Sequence, residues 1–575
     1  GYARVGRVRV TNECRGSNLI YGTPFCPSGY DLVDDLCLEN GEPIEEKEKP
    51  EDCTTTAHPV HFTTGTKYFY GIDAPALGSS LLELRRTWNS RDRQWRFDYT
   101  QRLTIAASSV RVASIERPDG STVTFTESAD GWSAQPDVTD SLQDSGDGWA
   151  YTTHRGQREW YDSQGRLTSI QLSNGRTIRV AYPAAGETHI LDEYDNAVRM
   201  VFGDDGVVTE SYDQAGERIR YAHDSRGNLT YVAYPDSTPQ QAGTNPFGED
   251  NPYREYHYES ATDPDLITGV TDENGDRIST VTYDTSGRAI SSGLADGSIN
   301  RSNIDYSALD NAENPASVVT NALGKETVYH LQNVFGVRRV AAVEGLASAN
   351  CLADISTRVY DPSTGWLQSS VDRAGHITTY TYYLDPERYG LLQTRTEGAG
   401  TPEQRTFIFD WDGGTRQLLQ QTLLDHYQVT FSYHGNGRLA ARTETDLSED
   451  NVPYSTHGRS RSWTYSYHYH DPDTQTRLYR LTIDGPRKDV SDLTIYDYTS
   501  QGFLGAVTDA AGNRTRYHDH NGHGQPSCVV DPGGVETRLH YSPRGWLLRT
   551  EVDTGNGVAA TEFSRDEVGR LIGLA

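Results

Sequence analysis

Two short patterns recur through most of this chain, and together they leave little choice of architecture. The first is an aromatic residue or His, often followed by Asp, with Gly four places on: Tyr161…Gly165, Tyr212…Gly216, His223…Gly227, Tyr283…Gly287, Phe409…Gly413, Tyr433…Gly437, His518…Gly522 and Tyr541…Gly545. Asp162 and Asp284 fill the second place, and Leu often follows the Gly by two, as at Leu167, Leu229 and Leu439. The second pattern is Asp or Asn, Gly three places on, then Thr and aromatic or apolar residues at alternate positions. Asp372…Gly375-Thr378-Tyr380-Tyr382, Asp509…Gly512-Thr515-Tyr517, Asp531…Gly534-Thr537-Leu539-Tyr541 and Asn321…Gly324-Thr327-Tyr329 are examples. Alternate positions share one face of a strand. The Gly supplies the positive φ of a tight turn, and Asp or Asn bonds its own backbone there. Each couplet is therefore a β-hairpin of roughly 21–24 residues, and a unit that cannot bury its own apolar face must stack on its neighbours. The expected fold is all-β, a long antiparallel ribbon of hairpins.

Composition agrees. Among 575 residues there are 36 Tyr and 54 Gly but one Met, the usage of short strands and tight turns rather than of helices. An aromatic content of 10% argues against intrinsic disorder despite the low apolar fraction. The formal charge of −29 disfavours nucleic acid and anionic membrane surfaces as partners. It suits a soluble protein rich in sheet edges. No apolar run approaches the ~20 residues that span a bilayer, so membrane insertion is not expected of this segment.

Four of six cysteines, Cys14, Cys26, Cys37 and Cys53, fall in the first 53 residues, without the C-x-x-C pairs of a zinc knuckle. They are disulfide candidates, which implies an oxidising compartment: secreted, cell-surface or periplasmic. Cys351 and Cys528 stand alone, either buried and free or paired by the fold. The charged run 42–52 reads as a solvated linker, so residues 1–57 form a cysteine-containing N-terminal segment distinct from the array that follows.

The repeat residues closely resemble those of the RHS/YD-repeat family. YDSQGRLTSI, YDTSGRAI and FSRDEVGRLIGL match its Tyr-Asp-x-x-Gly-Arg-Leu core, and DAAGNRTRYHDHNGHG its linking half-repeat. The stretch 59–90, with a Thr64-Gly65 turn and an Arg86-Thr87-Trp88-Asn89-Ser90 ending, resembles the segment that leads into the array in bacterial members. The resemblance covers residues 58–575, as a lead-in segment (58–100) and a repeat array (101–575) that is C-terminally incomplete. It implies a ribbon spiralling into part of a hollow, non-catalytic shell that encloses a C-terminal toxin or effector, the cargo being the principal partner. The alternative is an extracellular structural or adhesive protein whose Tyr-rich sheet binds carbohydrate or another surface protein. A ribbon of up to ~38 strands at ~4.8 Å each is ~180 Å long. Around a cargo needing a circumference of ~150 Å it makes about one turn, a wall rather than a sealed container. The lining of such a container is expected to be mixed and polar.

No nucleophile elbow, zinc-protease or phosphate-loop motif is present in the sequence, so no catalytic residues, metal ligands or cofactor are assigned. His468 and His470 share a strand face but read as polar strand positions. His518, Asp519 and Gly522 read as a repeat turn, and His523 as dispensable. FDWDGG (409–414) and DSGDGW (144–149) lack the full calcium-loop pattern, leaving weak calcium binding at Asp-rich turns as the one cofactor expectation. The named repeat residues have structural roles. Tyr161, Tyr283, Tyr433 and Tyr541 are expected to stack in ladders between hairpins. Gly165, Gly216, Gly287, Gly437 and Gly545 mark turns, and Arg166, Arg288, Arg438 and Arg570 are expected to pair with neighbouring Asp.

Overall fold

The computed structural model describes residues 30–33, 36–39, 55–56 and 59–575, apart from 107–110, 130, 236–245, 249, 312, 348–352, 450–453 and 556. Its contacts divide the chain into residues 1–45 and 46–575. In the first unit Tyr30–Val33 pairs antiparallel with Leu36–Glu39. Cys37 lies on the second of these strands, while Cys14, Cys26, Cys53 and Cys351 lie outside the described residues.

The second unit is all-β. It opens with two four-stranded meanders, spanning Val60–Phe97 and Arg102–Ser133, which we call the inner module. One antiparallel sheet of 36 strands then runs in strict sequence order from Ser141–Asp144 to Leu571–Leu574. Every connection is a hairpin, so the turns alternate between the ribbon's two edges. The two sequence patterns are these two edges. On the first edge lie aromatic-x-x-x-Gly turns such as those at Gly165, Gly287, Gly437 and Gly545; on the second lie Asp/Asn-x-x-Gly turns such as those at Gly324, Gly375 and Gly534, together with the Leu172-Ser173-Asn174-Gly175 turn.

Three sequence assignments change on this count. Tyr212…Gly216 closes a second-edge turn, where Asp213 is the capping residue and its Oδ1 accepts from the N–H of Ala215 and Glu217. Phe409…Gly413 is displaced by two: Trp411 takes the aromatic place before a turn from Asp412 to Gln417. His518…Gly522 is displaced likewise. Asn521 caps that turn, Gly524 closes it, and His520 holds the aromatic place.

The ribbon curls because it wraps the inner module. Phe125 packs edge-on to Tyr151, Phe97 to Tyr221 and Trp95 to Tyr256, while Phe62 stacks on Tyr329 with centroids 3.7 Å apart. These partners span seventeen consecutive strands, Gly148–Thr152 through Val337–Gly345 if the Arg338 contact to the Thr63 carbonyl is included. Seventeen strands occupy about 80 Å of ribbon, whereas a 74-residue module is about 30 Å across. Only a ribbon closed around the module reaches all of them, so the face that touches it is the concave one.

After one revolution the two edges meet. The second-edge turn at Gly175 lies against Asn436 on the first edge, 21 strands on; Asp213 meets His523 and Asn274 meets Glu567, each 23 strands on. At about 22 strands per revolution the 36-stranded sheet makes about 1.6 revolutions, against the single turn expected from sequence. The circumference is correspondingly smaller, about 105 Å, or about 33 Å between facing backbones. The module fits that width with its side chains interdigitated.

The glycines record which edges are covered. A Cβ on Gly175 would sit 2.5 Å from the Asn436 carbonyl oxygen, while one on Gly375 would meet nothing within 4 Å. Both have positive φ, 79° and 86°, so Ala at either bears similar backbone strain. Gly175→Ala is expected to cost about 1–3 kcal/mol more than Gly375→Ala, the usual penalty of overpacking. The reading is a lower urea midpoint and lost hydrogen-exchange protection around residues 172–176 and 436–438; equal losses in the two variants would remove the edge contact from the account.

Candidate functional site: the concave face and its seam

The hairpins are tied together by one repeated hydrogen bond. An aromatic residue at the end of a first-edge strand donates to the backbone carbonyl just after the previous first-edge turn: Tyr182 Oη to Leu167 O (2.8 Å), Tyr283 to Ile267 O (2.7 Å), Tyr306 to Ala289 O (2.9 Å), Tyr382 to Leu367 O (3.0 Å) and Tyr433 to Leu418 O (2.8 Å). Trp411 Nε1 and His520 Nε2 donate in the same way to Leu392 O and Leu504 O. The recurring Tyr thus works through its hydroxyl rather than through the ring-on-ring ladder expected from sequence. Tyr161 departs from the set, its hydroxyl donating to Glu159 Oε2 at 2.5 Å; Tyr541 is half-buried, and burial pushes its phenol up to about 12.

The rest of the core pattern follows from the same turn. Asp162 Oδ1 accepts from the N–H of Gln164 and Arg166, and Oδ2 from Arg166 Nε; Asp284 does the same with Ser286 and Arg288. The freed guanidinium face of Arg166 lies over Tyr182 at 4.6 Å and that of Arg288 over Tyr306 at 5.1 Å. Arg570 pairs with Asp566 within its own turn. Arg438 instead crosses between revolutions to both oxygens of Glu193, at 3.0 and 2.8 Å, with both side chains nearly buried.

That crossing is part of a polar seam where the edges meet. His523 Nε2 lies 2.7 Å from Asp213 Oδ2, both buried, so His523 is a structural seam residue rather than a dispensable one. Arg544 reaches Glu273, and the N–H of Glu567 donates to Asn274 Oδ1. His468 and His470 flank the Tyr479 ring, at 6.1 and 5.1 Å. At FDWDGG, Asp412 Oδ1 already accepts from the N–H and hydroxyl of Thr415.

Inside the first revolution an ion pair closes the module against the wall. Arg86 Nε and Asp73 Oδ2 are 2.8 Å apart with no exposed side-chain surface, Tyr221 and Tyr234 donate hydroxyls to Asp73, and the guanidinium stacks on Trp95 and Tyr256. Burial of the cation is outweighed by Asp73, which drives the Arg86 pKa further up. This is the Arg-x-aromatic-Asn-Ser stretch singled out in the sequence. The buried cation and its phenolic partners, brought together from positions 73, 86, 221 and 234, had no local signal. Arg117 makes the second closure, bidentate to Glu159 at 2.6 and 2.8 Å.

Strand pairing carries the concave row past the module. From Tyr329 it runs through Val343 and Ser356 to Arg358, Ser370, Thr378 and Tyr380. It continues through Arg395, Phe407, Phe409, Gln421, Val429, Phe431, Arg442, Trp463 and Tyr465. Here burial becomes uneven: Phe407, Phe409, Val429 and Tyr465 stay buried, while all eight residues of Leu439–Asp446 and all six of Leu493–Tyr498 are half-buried. The lining is mixed, aromatic and polar side chains in about equal number, with Arg395 stacked on Phe407 and Arg442 on Trp463.

Residues 57–125 match a family described as Domain of unknown function (DUF6531). No curated protein matches the chain by sequence. Solved structures similar to it include the crystal structure of TcdB2-TccC3-TEV, at 12% identity over 85% of this chain and 27% of that one with a TM-score of 0.38. TcdB2-TccC3 itself is similar at 12% identity over 93% and 33%, with a TM-score of 0.33. A Photorhabdus luminescens Tc holotoxin pore is similar at 12% identity over 86% and 30%, with a TM-score of 0.35. The chain spans about a third or less of the length of each.

Lys67 gives the module a pH signature. Its side chain is buried, its ammonium lies 4.5 Å from the Phe69 ring centre, and among the described residues no carboxylate pairs with it. Burial lowers its pKa from 10.5 to about 7. Between those values the unfolded chain holds a proton the folded one lacks, so module stability is expected to rise as pH goes from about 7 to about 10. Lys67→Met should abolish the rise and raise the denaturation midpoint at pH 6; an unchanged pH slope in the variant counts against Lys67 as its source. Separately, Tyr433→Phe should cost about 1 kcal/mol by leaving the Leu418 carbonyl without its donor, measured as faster amide exchange in Leu418–Leu423 and Tyr427–Tyr433.

Proposed function

We propose that residues 58–575 form part of an encapsulating shell of the RHS/YD-repeat type, a non-catalytic wall around a toxin or effector chain in a secreted, cell-surface or periplasmic setting. The observation that carries this reading is a ribbon that closes on itself by edge-to-edge contacts, is filled by its own module in the first revolution, and leaves stretches of its concave face half-buried in the second. The bore constrains what is held. With about 33 Å between backbones, and side chains taking about half the ~10 Å spacing of packed sheets on each side, about 23 Å remains clear. A folded 100-residue domain is about 34 Å across, so the contents are an extended chain or a small folded unit. Aromatics interrupted by Arg, Gln and Thr hold such a chain in many weak contacts rather than one apolar patch. The surface-binding alternative is weakened because the aromatic row faces inward.

The experiment is site-specific photocrosslinking in the intact parent protein, with a photoreactive phenylalanine at Trp463 on the concave row or at His468 on the opposite face. Crosslinks to the enclosed chain are expected from position 463 and not from 468. Equal yields, or crosslinks only from 468 to an added surface glycoprotein, overturn the shell in favour of adhesion.

A further inference from the structure

The displaced turn at 521–524 leaves two residues unexplained by the repeat. His520 makes the aromatic hydrogen bond and Asn521 the cap, so His518 and Asp519 have no repeat role. In sister hairpins the residue before the aromatic has a cross-strand partner: Trp160 with Ser169, Ser432 with Ala441, His540 with Arg549. Asp519 has none; it stands between the pairs His518–Cys528 and His520–Pro526 with φ of 56°. A non-glycine residue in the left-handed region is strained, and such strain gathers at functional positions. Ordinary alternation would send the Asp519 side chain to the face opposite His518. Instead its Oδ2 lies 3.3 Å from His518 Nδ1, and the His, carboxylate and thiol donor atoms all lie within 4.8 Å of one another.

We propose that His518, Asp519 and Cys528 form a binding site for a divalent transition-metal ion of the zinc type on the convex face of the wall. Imidazole, carboxylate and thiolate are the donors such borderline ions take, with bonds of about 2.0–2.3 Å and so ligand atoms about 3.4–3.8 Å apart. Closing from 4.8 Å needs only side-chain rotation, because His518 and Cys528 are fixed directly opposite on paired strands. The three donors leave one tetrahedral position open, and the exposure of His518 and Asp519 gives it to solvent or to an exogenous ligand. Cys528 is buried beneath them, and burial first, then the Glu536 carboxylate, raises its thiol pKa. Binding therefore releases the thiol proton to solvent as the metal–sulfur bond forms, and it tightens as pH rises.

The test uses Co(II), whose thiolate complexes give an intense charge-transfer absorption, titrated into the full chain under reducing conditions. One equivalent is expected to produce the band, Cys528→Ser to remove that equivalent, and His518→Ala to weaken binding by more than about tenfold. Asp519→Gly separates ligand from turn, since Gly tolerates the positive φ. It should weaken binding while leaving thermal stability equal or higher. His468→Ala with His470→Ala should leave the titration unchanged. A band of the same intensity in Cys528→Ser, no band in the unaltered chain, or unaltered affinity in both His518→Ala and Asp519→Gly overturns the site.

Discussion

A long antiparallel sheet has two unpaired ends and one face that must be buried, and in this protein both demands fall on the contact between the inner module and the first revolution. Open sheets beyond ~10 strands have to curl, split or flatten. Here the radius of curl is set by what is inside: Trp88, Phe97, Ile115 and Phe125 of the module share one core with Tyr151, Ile178, Met200, Tyr221 and Val270 of the ribbon. The Asp73–Arg86 pair sits within that contact, where two phenols bond Asp73 and two aromatic rings face the guanidinium, whose Nη1 is left without a hydrogen-bond partner among the described residues. A buried pair of this kind adds little net stability but penalises any packing that separates its partners. It therefore acts on register: Tyr221 and Tyr234 must arrive at Asp73 together, which fixes where the ribbon lies on the module.

Once the first revolution is fixed, the second is built largely against its edge, with module residues 77–79 reaching its turns at Gly502, Gly524 and Gly545. That is why the seam is polar and glycine-rich instead of apolar. Turn meets turn with backbone close to backbone, as at Gly522 against Ala215 and Gly175 against Asn436, and charged side chains span what remains, as Arg438 does to Glu193. Ion pairs this nearly buried and bidentate are more specific than exposed ones.

The hairpins and their period were legible because turn chemistry is local: a positive-φ Gly and a capping Asp leave their mark within four residues. Which edge a turn belongs to is not local. Tyr212…Gly216 and Tyr283…Gly287 look alike in sequence, yet an odd number of strands between them puts them on opposite edges. The His518…Gly522 assignment failed for a related reason, since a second Gly two places on offers an alternative turn and the inserted Asp519 shifts the strand to use it. The role of Tyr was misassigned through partner geometry: an in-phase aromatic every couplet is compatible with ring stacking or with a hydroxyl reaching the preceding carbonyl. The Leu that often stands two places after the Gly, whose carbonyl accepts that bond at Leu167 and Leu367, was the available clue.

The uneven burial of the second revolution is then a consequence rather than an imperfection. Where its face is left half-buried, as along Leu439–Asp446 and Leu493–Tyr498, the sheet gives up apolar burial of roughly 25 cal/mol for every Å² left in water. The hydroxyl-to-carbonyl bond and the Asp cap recur there, at Tyr433 and Asp412, and Arg442 stacks on Trp463 of the neighbouring strand. These interactions lie along strands and turns, not across the bore, so they hold the wall's shape without calling on its contents. The first revolution depends on what it encloses; the second is held by its seams and turns, by a small cluster around Phe407, Phe409 and Trp411, and by module residues 77–79 at the turns of Gly502, Gly524 and Gly545. That leaves the half-buried stretches of its concave face available.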